Sequence, residues 1–431
     1  METKLALISR KAHEDRSMKF DNLMHLFNVQ NLCECFKRLK KNRAPGVDKV
    51  TLEEYGLNLI ENVANLVNRI KQLSYRPQPV RRVYIPKSNG KPRPLGIPTI
   101  EDKMVQMMFA LILEAIWEQD FLPISYGFRP KKGCQLALRD LNEILRKQPV
   151  GYVIDADIVG YFDNVNHEKL LNCLERRVAD KKFLRYIVRM LKSGIMDGRN
   201  YFAPGKGTPQ GGVASPILAN IYLHYLLDVW FIRKIRPHCS GYVEMVRYCD
   251  DFLICVEKKE DVAFVYRQLE KRMGIGRLEL SKEKTEIIEF RKPRNGNEGN
   301  RSNKPGSFNF LGFTHYWEKS RKGFYRVGRK TQKERYHKAV GKVNEWLRKN
   351  RNFLTTGELW KRVSQMLTGH FSYYGVSGNY KKISNFHYRV TRLFFKWLNR
   401  RSQKKSHNWK RFNDYLKLFP LPKVKIYHKF Y

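Results

Sequence analysis

Two clusters of aspartate residues lie in apolar, strand-like segments and have a composition suited to metal-assisted chemistry. The first contains Asp155 and Asp157, and the second contains the adjacent Asp250 and Asp251. Carboxylates in such surroundings repel one another and are costly to remove from water unless cations neutralise them. Oxygen ligands without His or Cys favour Mg²⁺. Two such ions, about 4 Å apart, stabilise the attacking and leaving oxygens of an in-line phosphoryl transfer, which is the chemistry that these clusters predict.

The sequence of each cluster does not by itself show whether its aspartates are catalytic or structural. The alternation of a strand puts Asp155 and Asp157 on the same face, so their spacing does not decide which of them would bind a metal ion. Adjacent aspartates at the tip of a hairpin are also common as solvated turn residues. The aspartates alone therefore leave a catalytic and a structural interpretation open.

Two further segments could contact nucleotides. The loop 207–212 ends in Gly211 and Gly212, whose bare backbone would allow a nucleotide or base pair to approach closely. A basic hairpin carries Lys87 and Arg93 on either side of its turn, where an ammonium and a guanidinium could hold a triphosphate. An ordinary glycine-rich turn and a solvated basic loop are the alternative interpretations.

The elements around these segments can be predicted from local patterns. Residues 151–158 alternate like a strand, residues 242–255 predict two strands around an acidic turn, and residues 81–84 are β-like. Ser215, followed by Pro216, predicts the capped start of a helix. The other predicted elements are a helical segment over 1–41, helices over 51–70 and 102–119, a loop over 291–306, and basic helices after Arg321 with Thr331 as a cap. This mixture favours an α+β catalytic core followed by an all-α domain.

The charge of the chain indicates a polyanionic partner. The sequence contains 83 Lys and Arg against 41 Asp and Glu, a formal net charge of +42, together with 42% hydrophobic residues. That apolar content argues against a mostly disordered chain. From Arg321 onward there are 29 Lys and Arg against 4 Asp and Glu. Such an asymmetry predicts a dedicated nucleic-acid-binding region, with a ribosomal or membrane-surface protein as the alternative.

Other classes of protein are disfavoured. The 7 cysteines form no Cys-x-x-Cys pair, so free thiols in a reducing cytoplasm are expected rather than a zinc site. The first twenty residues are polar and mixed in charge, unlike a signal peptide. The longest apolar stretch, residues 104–117, is too short to cross a bilayer and suits a core helix.

The order of these segments resembles that of the reverse transcriptases encoded by group II introns. It runs from the basic hairpin through the Asp157 strand and the Thr-Pro-Gln-Gly-Gly loop at 208–212 to the Tyr-Cys-Asp-Asp run at 248–251. Segments similar to other blocks of this family are 82–99 in the fingers, 125–130, 278–285 in the palm, 310–313 in the primer grip, and 369–375 and 421–423 in the maturase region. The resemblance extends from about residue 42 to the C-terminus.

The resemblance implies a right-hand polymerase of fingers, palm and thumb, with an antiparallel palm sheet and a basic, all-α maturase-like domain. The implied divisions are an N-terminal helical extension over 1–50, fingers and palm over 51–320, and thumb with maturase-like domain over 321–431. The implied cofactor is Mg²⁺, as two ions, with Mn²⁺ as a possible substitute.

The resemblance also assigns roles to individual residues. The expected catalytic acids are Asp157, Asp250 and Asp251, and the expected metal-binding set is Asp157, Ile158, Asp250 and Asp251. Phe162, five residues after Asp157, would crowd the 2′-hydroxyl of a ribonucleotide, unless it is a plain core aromatic. The expected dNTP-binding set is Lys87, Arg93, Phe162 and Gln210, and the expected primer or template contacts are Gly211, Gly212, Lys284, Leu311 and Gly312.

Two features depart from the family pattern. The usual Tyr-Ala-Asp-Asp is Tyr-Cys-Asp-Asp here, which would put the side chain of Cys249 near the primer end. In addition, no Cys-rich or His-Asn-His endonuclease segment follows the maturase-like region. The resemblance therefore predicts a protein that does not nick its own primer and depends on nascent strands, single-stranded DNA or a host nuclease.

Three functions are compatible with these observations. The first is an intron-encoded enzyme that copies RNA and assists splicing, the second a free-standing polymerase for DNA repair or phage defence, and the third a catalytically silent splicing factor. The presence of Asp157, Asp250, Asp251 and Gln210 argues against the third. The expected partners are an RNA template, in particular structured intron RNA, a DNA primer or target, and dNTPs, without a membrane. A homodimer is left open, and the expected location is the bacterial cytoplasm or nucleoid.

Overall fold

The computed structural model describes residues 1–86, 92–203, 205–208, 211–293, 306–320, 322–401 and 408–430. Two predicted site residues, Lys87 and Gln210, lie outside the described residues, as does most of the predicted loop 291–306. None of the helices within these ranges is long and apolar enough to cross a membrane.

The described residues contain fifteen α-helices. Their bounds are α1 Glu2–Glu14, α2 Val29–Arg38, α3 Leu52–Leu57, α4 Leu59–Lys71, α5 Ile100–Trp117, α6 Cys134–Lys147, α7 Tyr161–Asn164, α8 His167–Leu174, α9 Lys181–Leu191, α10 Ser215–Leu223, α11 Lys259–Ile275, α12 Lys333–Asn350, α13 Thr356–Tyr374, α14 Tyr380–Asn399 and α15 Trp409–Leu418. Helix α10 continues into two π-helical segments, His224–Asp228 and Phe231–Ile235. Short 3₁₀ turns cover Met24–Leu26 and Arg236–His238.

Eleven strands in the same residues form three sheets. Their bounds are β1 Val80–Pro86, β2 Pro92–Ile97, β3 Tyr152–Asp157, β4 Ile195–Asp197, β5 Asn200–Phe202, β6 Val243–Tyr248, β7 Asp251–Val256, β8 Glu286–Glu289, β9 Phe308–Phe310, β10 Phe313–Lys319 and β11 Tyr325–Thr331. The strand orders are β2-β1-β4-β5, β6-β7-β3-β8 and β11-β10-β9. Strand β1 is antiparallel to β2 and parallel to β4, whereas β10 is antiparallel to both neighbours. Antiparallel sheets followed by a helical C-terminal region agree with the predicted α+β class.

Contacts within the chain divide it into two compact units. The first comprises Met1–Gly133, Ala156–Ile254 and Glu260–Glu286, and the second comprises Cys134–Asp155, Cys255–Lys259 and Ile287–Tyr431. The divisions predicted at residues 50 and 320 remain predictions.

The central helix of the first unit is α5. It packs against α1 and α2, and Phe109 lies 4.8 Å, between ring centroids, from both Phe27 and Phe183. Its buried residues surround the helix instead of forming one stripe, as expected of a helix inside a core. The apolar stretch 104–117 is therefore a core helix, as predicted. It begins at Ile100, earlier than predicted, because Thr99 accepts a hydrogen bond from Asp102 N and caps it.

The second unit contains a helical core and a small sheet. Helices α12, α13 and α14 enclose buried apolar side chains such as Leu347, Leu367, Phe371 and Phe394. Because β11 precedes these helices, the region after Arg321 is not entirely α-helical, which corrects that part of the prediction.

The start at Thr51 is confirmed, whereas the continuity of that helix and two other predicted helix starts need correction. The helix predicted over 51–70 is interrupted at Asn58, so Thr51 caps only α3, through a capping box with Glu54. The cap of α10 is Ala214, and Ser215 is its first residue. Thr331 ends β11 instead of capping α12, because its hydroxyl accepts a hydrogen bond from Asn379 Nδ2 at 2.8 Å.

Candidate active site

Asp157 is the last residue of β3, and its backbone is fixed by a segment distant in sequence. Ser281 N donates to Asp157 O at 2.8 Å, and Val159 N donates to Glu279 O at 2.9 Å. Between them, Ile158 and Leu280 form an isolated antiparallel bridge. The segment that contains Lys284 therefore runs alongside the end of the Asp157 strand.

Lys284 forms an ion pair with Asp157. A turn, in which Lys284 N donates to Ser281 O at 3.1 Å, directs its side chain, and Nζ contacts Asp157 Oδ2. The lysine side chain is 68% exposed and that of the aspartate is 27% exposed. Ion pairs with this much exposure contribute little free energy, so Asp157 can readily exchange this partner for another cation.

Asp250 lies in the turn between β6 and β7. Burial raises the pKa of the Asp250 carboxyl, and the negative charge of Asp157 raises it further, whereas the cations Arg93 and Lys284 lower it. Arg93, Asp157 and Lys284 therefore each act electrostatically on Asp250, and Lys284 contacts Asp157 directly. The structure thus brings together four predicted site residues from the hairpin β1–β2, the end of β3, the β6–β7 turn and the segment after α11.

The charge and donor atoms of this group fit a magnesium ion. Magnesium is commonly held by one or two carboxylates, together with waters and substrate phosphates. Asp157 and Asp250 supply two carboxylates. Within the described ranges, no group of three or more His, Cys, Asp or Glu could hold a metal ion. Asp251, the first residue of β7, remains a predicted third acid, and the buried Ile158 has only its backbone oxygen to offer.

The segment 125–130, singled out in the sequence, underlies the β6–β7 turn. Tyr126 N donates to Arg247 O at 2.9 Å, and Arg247 N donates to Ile124 O at 2.8 Å. A side chain added at Gly127 would have its Cβ 2.5 Å from Cys249 N, which is far too close. Glycine is therefore required at 127 so that the turn carrying Asp250 can pack against this segment.

Phe162 lies in α7 and supports the loop that begins at residue 205. Thr208 N donates to Phe162 O at 2.7 Å. The ring of Phe162 is half-buried and lies 5.5 Å, between centroids, from that of Tyr161. Tyr161 is anchored in the core by a hydrogen bond from its hydroxyl to Ala219 O at 2.6 Å. The aromatic ring at 162 is therefore held in place by a rigid neighbour while part of its surface remains accessible.

Gly211 and Gly212 lie between the hairpin β1–β2 and α10. Gly211 has φ +109°, a conformation that favours glycine, and an added Cβ would lie 2.6 Å from Gly96 O of strand β2. The chain after Gly212 is fixed by a hydrogen bond from Val213 N to Gln106 Oε1 at 2.8 Å. Gly211 thus allows its loop to approach the backbone of the hairpin that carries Arg93.

The predicted primer-grip residues lie in the second unit. Leu311 and Gly312 form the turn between β9 and β10, and both have positive φ, of 48° and 81°. The hydroxyl of Tyr373 in α13 donates to Leu311 O at 3.0 Å, and Gln332 N donates to Gly312 O at 3.0 Å. The turn is therefore anchored on both sides.

A groove of about 1300 Å³ follows one face of α14 in the second unit. Its walls include Arg389, Arg392, Lys396 and Arg400, which recur at helical spacing. The guanidinium of Arg392 lies 5.9 Å from the centroid of the Trp409 ring. Cations beside exposed aromatic rings are a common arrangement for binding phosphates and stacked bases.

Comparison with known proteins assigns the family. A model of the reverse transcriptase (RNA-dependent DNA polymerase) domain matches residues 85–315, which include the four coupled charged residues. The chain belongs to the reverse transcriptase family.

Relatives of this chain include intron-encoded proteins. It is 34% identical to protein YkfC of Escherichia coli over 312 residues, which cover 64% of this chain and 81% of that protein. It is 34% identical to the group II intron-encoded protein LtrA of Lactococcus lactis over 244 residues, or 53% of this chain and 40% of LtrA. It is 32% identical to a 91 kDa protein in the cob intron of Schizosaccharomyces pombe, over 54% of this chain and 29% of that protein.

Two residues that support the β6–β7 turn were not predicted from the sequence. Arg247 and Asp228 are fully buried, yet neither was singled out. A signal was present, because Arg247 is a cation among the apolar residues Val243, Met245 and Val246, and a buried cation needs an acidic partner. The partner was not identifiable, since Asp228 lies in a helical segment with no motif of its own.

Proposed function

We propose that this reverse transcriptase is an RNA-directed DNA polymerase that adds dNTPs to a primer by two-metal phosphoryl transfer. The observation that carries the proposal is the ion pair between Lys284 and Asp157 at the end of β3, together with the effect of both groups and Arg93 on the Asp250 carboxyl. Two carboxylates flanked by two cations suit a reaction in which a polyphosphate and divalent cations must occupy the same space. The half-buried position of Asp250 strengthens its interactions with charge, because the local dielectric is lower than that of water.

In this proposal, Asp157 and Asp250 would hold two Mg²⁺ ions, with Asp251 as the third acid. When bound, the ions stabilise the attacking 3′-oxygen and the leaving pyrophosphate. Mn²⁺, which also accepts oxygen ligands, is a substitute. Lys284 pairs with Asp157 in their absence, and Asp157 would exchange this partner for the metal ions.

The remaining residues bind and orient the nucleotide and the nucleic acid. Arg93 contacts the triphosphate of the incoming dNTP, together with Lys87, and Gln210 lies near the nascent base pair. Phe162 restricts the space beside C2′ of the sugar and so favours dNTPs over ribonucleotides. Gly211 and Gly212 give backbone access to the base pair, while Lys284, Leu311 and Gly312 contact the primer or template.

We propose further that the second unit binds structured RNA and that the protein assists the splicing of a group II intron. The basic groove along α14 supports RNA binding, because phosphate contacts dominate the affinity of proteins for nucleic acids. The similarity to an intron-encoded protein supports the choice of RNA. A free-standing polymerase for DNA repair or phage defence is the alternative, and it would bind intron RNA no more tightly than other folded RNA.

The experiment that tests the polymerase is primer extension on an annealed RNA template with Mg²⁺ and dNTPs. Wild type is compared with Asp250→Asn, and Asp21→Asn serves as the control, because Asp21 is an exposed carboxylate of the same unit. We expect cDNA from wild type and from the control, and none from Asp250→Asn, with all three proteins binding RNA with similar affinity. If no protein extends the primer while all bind RNA tightly, the splicing factor becomes the better explanation. If Asp250→Asn extends the primer normally, the active site has been assigned incorrectly.

A further inference from the structure

A fully buried ion pair lies behind the β6–β7 turn. Arg247 in β6 and Asp228 at the end of a π-helical segment both have 0% side-chain exposure. Nε of the arginine donates to Asp228 Oδ1 at 2.6 Å, and Nη2 donates to Oδ2 at 2.5 Å. Removing two charges from water is costly, so a pair of this kind requires good geometry and further hydrogen bonds.

Arg247 also donates hydrogen bonds to residues other than Asp228. Nη2 also donates to Ser125 Oγ at 2.7 Å, and Nη1 donates to Asn220 Oδ1 at 3.3 Å and to Cys249 O at 2.9 Å. The five N–H groups of the guanidinium are thereby matched by five acceptors. Neutralising Asp228 requires only two of these bonds, so the remaining three serve to connect separate parts of the chain.

One of those bonds reaches the residue before Asp250. Cys249 has φ +61°, which is unfavourable for a residue with a side chain and persists only where surrounding contacts impose it. The bond from Arg247 Nη1 to Cys249 O is one such contact. The packing of Cys249 against Gly127 is another, and Gly127 O is itself held by Asn220 Nδ2 at 2.6 Å.

We propose that Arg247 is a positioning residue for the metal-binding turn. Through Cys249 O it fixes the peptide that joins Cys249 to Asp250, so that the carboxylate of Asp250 faces Asp157 before any ligand binds. Ser125 and Asn220 hold the guanidinium in the required orientation. This role rests on the proposed two-metal polymerase. Arg247 orients the turn that carries Asp250 and does not itself contact substrate.

The test is to measure metal affinity in variants of the full chain that keep the buried charge. Arg247→Lys retains a cation beside Asp228 but lacks the second guanidinium nitrogen that donates to Cys249 O. The matched control is Arg177→Lys, because Arg177 is 2% exposed, pairs with Asp120 at 3.1 Å and donates to Ala12 O at 3.0 Å. Ser125→Ala is a milder second variant that leaves the ion pair and the Cys249 bond intact while freeing the guanidinium to move.

The measurement is Mn²⁺ binding by electron paramagnetic resonance, with Asp250→Asn defining the signal of the proposed site. We expect the Kd for Mn²⁺ to rise about tenfold in Arg247→Lys, by less in Ser125→Ala, and not to change in Arg177→Lys. Thermal unfolding is followed in parallel, and both lysine variants should lose stability.

Two results would overturn the role of Arg247. One is a folded Arg247→Lys that binds Mn²⁺ as tightly as wild type, and the other is an equal loss of Mn²⁺ affinity in Arg177→Lys. A third result, no difference between wild type and Asp250→Asn, removes the metal site itself and so rejects both the polymerase and the positioning role. Failure of the inference alone is therefore distinguishable from failure of the proposed function.

Discussion

Lys284 Nζ and Asp157 Oδ2 form an ion pair, although 127 residues separate them in the sequence. Lys284 also lowers the pKa of the Asp250 carboxyl, which burial and Asp157 raise. Its charge therefore offsets part of the repulsion between the two carboxylates. The pair gives this lysine a measurable electrostatic role before metal or substrate binds.

Replacing Lys284 with Met should move the acid limb of the pH dependence of primer extension to higher pH. Without this cation the pKa of Asp250 rises further, and a carboxylate must be ionised to bind Mg²⁺. The rate is measured at a limiting Mg²⁺ concentration across the acidic range. Lys282→Met is the control, because Lys282 is an exposed lysine of the same segment. An acid limb that stays in place in Lys284→Met would show that the ion pair is incidental.

Replacing Phe162 with Ala should increase the incorporation of ribonucleotides. The ring is partly accessible and is held by Tyr161, so its removal opens space without collapse of the core. We expect the ratio of kcat/KM for dNTP and rNTP to fall by about tenfold, equivalent to about 1.4 kcal/mol of discrimination. Phe162→Tyr, which keeps the bulk, should discriminate like wild type. If both variants discriminate alike, Phe162 is a packing residue only.

Replacing Gly211 with Ala should reduce polymerase activity strongly, by about tenfold or more. The added methyl group would meet Gly96 O, and φ +109° is strained for alanine, at a cost of about 1–3 kcal/mol. Gly205→Ala is the matched control in the same loop, because a Cβ at Gly205 would meet no atom within 4 Å. Primer extension and template affinity are measured for both variants. Equal activity of the two would mean that the approach of Gly211 to the hairpin is not needed for catalysis.

Neutralising the α14 groove should weaken RNA binding and reduce its dependence on salt. Changing Arg389, Arg392 and Lys396 to Gln removes three cations from one face, and each phosphate contact contributes about 0.7–0.9 to the slope of log K against log salt. We expect the magnitude of that slope to fall by about 2. The control changes three exposed cations of α9, Lys181, Lys182 and Arg185, to Gln. Equal losses in the two triple variants would attribute binding to overall charge, not to the groove.

The sequence predicted the elements whose signals are local. The strand that ends at Asp157, the two strands around the Asp250 turn, the hairpin that carries Arg93 and the core helix α5 all form within a few residues of the predicted positions. Alternation and apolar runs suffice for such elements because each is determined by its own residues. Helix starts were less accurate, since Thr331 has a side chain suited to capping but uses it to bind Asn379.

The contacts that support the candidate site could not be predicted from the sequence, for a physical reason. The hydrogen bond from Ser281 N to Asp157 O and the bond from Arg247 to Ser125 each join segments more than a hundred residues apart. Such contacts depend on how the strands and helices pack together. The periodicity of a short segment therefore does not predict them. Family resemblance proposed the acids, whereas the structure shows which buried groups support the turn that carries Asp250.

The close packing of Cys249 against Gly127 restricts how the two positions can change during evolution. A larger residue at 127 would push the Asp250 turn away, and a β-branched residue at 249 would resist its left-handed backbone. A change at one position is therefore tolerated only if the other already permits it. The two residues should therefore vary together among descendants of this protein. The residue at 127, in a segment distant in sequence, thus limits which substitutions are tolerated at 249.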